Sequence, residues 1–69
     1  MNPTTPYRCL FLDMTRRVVR GDMIEARDDA EAIRLVRAAN HADDCEIWQF
    51  TRQIALVPRE GGLPILPYR

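Results

Sequence analysis

The side chains able to do chemistry are few: one histidine, His41, two cysteines, Cys9 and Cys45, two carboxylate pairs, Asp28-Asp29 and Asp43-Asp44, and ten basic residues, all of them arginine. The chain has no serine and no lysine, which excludes a serine nucleophile, a Schiff-base lysine and a Walker lysine. Its glycines stand at 21, 61 and 62, so there is no glycine-rich phosphate cradle. A cysteine–histidine nucleophile would have to bring His41 to Cys9 or Cys45. Helical periodicity instead puts His41 on the solvent side, near a helix C-terminus that favours a cationic ring. A zinc site built from His41, Cys45, Cys9 and Asp43 or Asp44 has suitable donors but lacks the closely paired ligands of structural zinc sites. Both carboxylate pairs flank the same helix, where acids serve as caps and turn formers. The chain therefore reads as a non-enzymatic protein with no catalytic residue, no metal and no cofactor.

The arginines pose the remaining chemical question. Arg16, Arg17 and Arg20 cluster near one turn, and Arg34 and Arg37 line one helix face. With Trp48, Phe50 or Tyr7 as a stacking platform they would make a phosphate-binding surface. Ten acids cancel the ten arginines and the pI is 6.5, whereas a nucleic-acid footprint is a basic excess. A solvated face paired with Asp22, Glu25 and Glu31 is the reading this balance favours. The end, Pro64-Ile65-Leu66-Pro67-Tyr68-Arg69, fits P-x-x-P-x-R, a pattern that a chain with five prolines meets by chance. Leu63, Ile65, Leu66 and Tyr68 are expected to dock on the domain or on a neighbour.

Sixty-nine residues make one small domain, and 46% apolar with 29% charged residues is the composition of a globular one. Domains of this size bury only about 60% of the surface their unfolded chain exposes, so a staple, a metal or association is expected to support the fold. Residues 1–6 read as a disordered tail, 7–57 as the domain and 58–69 as a Pro/Gly-rich tail. The run Tyr7 to Asp13 predicts a central strand, apolar on both faces. A second strand over Arg17 to Ala26 completes a hairpin whose turn lacks Gly or Asn, with Gly21 marking a bulge or a close contact. Asp28 with Glu31 three residues on is a helix start. Ala32, Ile33, Leu35, Val36, Ala39 and Ala42 then share one half of a helix running to about His41. Cys45 to Phe50 and Arg52 to Val57 predict a second hairpin. The order β-β-α-β-β with a right-handed crossover gives spatial order 2-1-3-4. The fold class is α+β: a four-stranded antiparallel sheet with one helix packed on one face.

Tyr7 to Asp13, the stretch Glu25 to Ala32, and Glu46-Ile47-Trp48 followed by Arg52-Gln53-Ile54-Ala55 resemble a group of short uncharacterised bacterial proteins with this strand-strand-helix-strand-strand layout. That resemblance implies the fold and no activity. It departs at Met14-Thr15-Arg16, where the group carries a Gly.

The N-terminus has no basic region followed by an apolar stretch, and no apolar run approaches the roughly 18 residues of a membrane span. A cytoplasmic protein with two free, buried thiols is expected. One helix covers one sheet face, yet the first strand places Cys9 and Phe11 on one face and Leu10 and Leu12 on the other. The bare face predicts self-association. The chain is thus expected to be a small interaction or accessory module working as a homodimer. The alternative is an antitoxin-like, nucleic-acid-associated regulator using its arginines.

Overall fold

The computed structural model describes residues 3–66. Its elements are β1 (Thr5–Leu12), β2 (Val18–Ala26), α1 (Asp29–Ala39), β3 (Asp44–Gln49) and β4 (Arg52–Val57), followed by a 3-10 turn at Arg59–Gly61. The four strands form one antiparallel sheet in the order β2-β1-β3-β4, and α1 packs on one side, as the strand pattern predicts.

Alternation in β1 decides which face the helix covers. Tyr7, Cys9 and Phe11 are buried with Cys45, Ile47, Ala55 and Val57 from the neighbouring strands, and Ala32 and Val36 of α1 close over them. Leu12 is buried outside this cluster. β2 carries one extra residue, Val19, because Phe11 opposes Arg20 while Leu12 opposes Val18. A second bulge lies in β4, where Ile47 opposes Ala55 and Trp48 opposes Gln53. It turns Ile54 and Ala55 both into the core, which strict alternation would not do.

Asp28 is the helix N-cap, its carboxylate accepting from the Glu31 amide at 2.8 Å. The helix ends at Ala39, before His41, because Asn40 takes the left-handed conformation (φ 54°) and its N–H bonds Arg37 O. Of the expected apolar stripe, Ala32 and Val36 are buried and Ile33 is half-buried, whereas Leu35 and Ala39 remain exposed. They border a groove of about 200 Å³ between α1 and β2, floored by Cys9, Phe11 and Ile24.

The domain reaches further at both ends than its central 51 residues. Thr5 and Pro6 belong to β1, opposite Ala26 and Glu25. β3 pairs with β1 only from Arg8, so Pro6 sits where β1 has an open side and a residue without an N–H is tolerated. Ile65 pairs with Leu56 through two 2.8 Å backbone hydrogen bonds, so the chain's own end lies along the outer edge of β4. Pro67 to Arg69, and with them the end of the P-x-x-P-x-R pattern, lie outside the described residues.

Candidate functional site

Most polar residues singled out in the sequence have a local task. Asp13 holds the first hairpin: Oδ1 accepts from the Thr15 amide (2.8 Å), the Thr15 hydroxyl (2.7 Å) and the Arg17 amide (3.0 Å). These donors hold its carboxyl below the usual carboxylate range, the Thr15 hydroxyl foremost. The turn closes without Gly or Asn because Arg16 itself takes φ 70°. Asp44 begins β3 and accepts from the Arg59 amide at 2.8 Å, fixing the 3-10 turn.

Asp29 makes the contact that spacing does not reveal. The Tyr7 hydroxyl donates to its Oδ1 at 2.8 Å, and Arg52 grips both carboxylate oxygens at 3.1 and 3.4 Å. This links the start of α1 to β1 and β4. The Arg52 hydrogen bonds hold the Asp29 carboxyl below its ordinary range, aided by Tyr7 and against burial. Burial, then the bond to Asp29, pushes the Tyr7 phenol up to about 12.

His41 lies beyond the helix rather than on its solvent side. Its ring meets Phe11 edge-on at 4.5 Å, and its Nδ1 is 3.4 Å from Arg20 Nη2. The Arg20 guanidinium stacks over the same Phe11 ring at 4.2 Å. Cys9 and Cys45 are free and buried in the core. The neighbouring Cys9 thiol and burial raise the Cys45 thiol far above the ordinary cysteine range, and its Sγ donates to Glu46 O at 3.7 Å. Among the described residues no three His, Cys, Asp or Glu side chains gather as a metal site, and no buried side-chain polar atom lacks a partner.

The arginines do not form one basic surface with the aromatics. Arg16, Arg17 and Arg20 pair with Asp44, Asp13 and Asp22, and Arg34 pairs with Glu31. The Arg37 guanidinium donates to Gly61 O at 3.1 Å. Tyr7 is in the core beneath the helix, whereas the Trp48 position alternates with buried Ile47 onto the opposite face, so the three aromatics share no platform.

That opposite face is the feature left unexplained by folding. Arg8 lies between Met23 and Trp48, and Leu10 lies between Gly21 and Glu46, with Leu56 one strand further on. Leu10, Trp48 and Leu56 are only half-buried and Met23 is 63% exposed, so no described element covers this face fully. The Trp48 indole N–H is committed to Glu46 Oε1 at 3.0 Å, leaving its ring as apolar surface. Phe50, at the β3–β4 turn, is 76% exposed and held at φ 56°, a backbone region unfavourable for a bulky residue. With Pro6, Arg8 and Met23 it borders a depression of about 180 Å³. Among the described residues Arg8 makes no ion pair.

No family model, curated protein or solved structure matches the chain. No helix among the described residues is long and apolar enough to cross a membrane.

Proposed function

We propose that this chain is a small, non-enzymatic interaction module that works as a homodimer. The carrying observation is the sheet face opposite α1, where half-buried Leu10, Trp48 and Leu56 and exposed Met23 and Phe50 lie around Arg8. Antiparallel sheets with a solvated face normally alternate apolar-in and polar-out, so an apolar outer face marks a contact surface. Its size argues for two copies. Four strands of about six residues present a face of roughly 400 Å², about half of the roughly 800 Å² per partner in a standard protein interface. The dimer doubles that face and presents it to a protein whose contact surface is apolar and brings an acid to Arg8. Buried free thiols suit a reducing compartment, and we place the protein in the cytoplasm.

Light scattering coupled to size exclusion tests the homodimer. Titration of labelled DNA and RNA at two salt concentrations tests the competing reading. Weak binding at both salts is expected from arginines neutralised by neighbouring acids, and tight binding that falls steeply with salt would replace this proposal with a nucleic-acid regulator.

A further inference from the structure

We propose that two copies of this chain join through the outer edges of β2, antiparallel about a two-fold axis at Gly21, so that their sheets continue as one eight-stranded sheet. The proposal rests on the homodimer reading and specifies where the copies meet.

The two sheet edges are treated differently. The β4 edge is occupied by Ile65, whose N–H and C=O both bond Leu56. β2 is a nine-residue edge strand, and no described residue pairs with its outer side. It contains no proline, its first six residues are exposed, and Val18, Val19 and Met23 lie open on it. Such an edge presents free backbone N–H and C=O groups to another strand.

Residue order selects the second copy as that strand. A two-fold axis perpendicular to the sheet keeps both helices on one side, so directly opposed residues must share a face and permitted registers step by two residues. With the axis at Gly21, which lies on the regular part of β2 beyond the Val19 bulge, Arg20 opposes Asp22 of the second copy and Asp22 opposes its Arg20. Moving the axis to Arg20 or to Asp22 sets like charges directly against each other. The flanks agree: Arg17 precedes the strand and Glu25 is near its end, so antiparallel pairing lays the basic half on the acidic half. Arg20 and Asp22 already lie on one side of β2, 3.5 Å apart, so the second copy completes a four-charge cluster. Gly21 is not demanded by its own chain, since an added Cβ would meet only Leu10 Cδ2 at 3.7 Å and Cys9 O at 3.9 Å. On the axis, a residue without a side chain removes crowding where two identical positions meet. The same axis puts both open sheet faces on one side, as a single doubled surface.

Position-specific crosslinking tests this in the full chain. Across antiparallel strands, opposed Cα atoms are about 4.5 to 5.5 Å apart, within disulfide reach. Under mild oxidation Gly21→Cys is expected to give a covalent dimer readily and Met23→Cys alone to give little. In light scattering, Arg20→Asp and Asp22→Arg are each expected to lose the dimer, and mixing the two to restore it, because each then opposes its complement. A dimeric wild type in which Gly21→Cys crosslinks no faster than Met23→Cys would overturn the register while leaving the homodimer intact. A wild type with the mass of one chain would overturn both. If a charge variant fails to fold, the crosslinking series decides alone.

Discussion

Replacing Tyr7 by phenylalanine removes one oxygen and nothing of the ring packing. In the native chain that oxygen donates to Asp29 at 2.8 Å from a side chain that is 2% exposed. A hydrogen bond to a charged acceptor contributes about 1.5 to 3 kcal/mol. Asp29 keeps Arg52 and can replace the lost donor with water, because its own side chain is 42% exposed. The expected loss is therefore near the lower bound, about 1.5 kcal/mol, or roughly 6 to 12 °C in Tm for a domain of this size. The phenol also sets a pH window. Its folded pKa lies at about 12 against 10.0 for the free side chain, so the native state holds the proton that the unfolded chain releases. That stabilisation is complete below about pH 10 and disappears as pH rises through 12. With no lysine in the chain, little else titrates there, and the cysteines cancel in the comparison. Urea unfolding followed by Trp48 fluorescence, at one fixed chain concentration, should show Tyr7→Phe weaker than wild type at pH 8 and the gap narrowing at pH 11.5. Equal stability at pH 8, or a gap that persists at pH 11.5, would refute the account of this contact.

Three further outcomes follow from other contacts. Asp28→Ala removes the acceptor of the Glu31 amide and should lower stability by about 0.5 to 2 kcal/mol, read as a shift in urea midpoint without a change in slope. Phe50→Gly relieves a left-handed backbone at an exposed position and should stabilise the single chain by up to about 1 kcal/mol in thermal melts, while weakening capture of whatever docks on the open face. Cys9 and Cys45 should react slowly with a thiol reagent in the native protein and yield two thiols per chain after denaturation, since both are free and buried in the core.

The strand order was legible because it follows from local pattern, whereas the face that the helix covers was not, because β1 is apolar on both of its faces. Cys9 and Phe11 alternate with Leu10, Asp28 precedes Glu31 by three residues, and a single helix joins two hairpins. What escaped depends on contacts between distant residues or on backbone conformations that composition disguises. Nothing in the spacing of Tyr7, Asp29 and Arg52 announces that they converge, because they lie in three different elements. Arg16 and Phe50 occupy left-handed positions that a sequence reader reserves for Gly or Asn. The bulge beside Ile54 defeats strict alternation, and Asn40 stops the helix before His41, sending that ring to Phe11. Pro64 and the Gly61-Gly62 pair suggest a loose end, yet Ile65 between Pro64 and Leu66 keeps the N–H and C=O needed to join β4. A bare apolar face was anticipated, but which face it is and which aromatics it carries required the observed burial and the β3 register.

The most direct test of the central claim is the mass of the full native chain in solution at micromolar concentration, by light scattering coupled to size exclusion. A homodimeric interaction module predicts two chains of 8.0 kDa per particle. A particle with the mass of one chain at every concentration examined would contradict it.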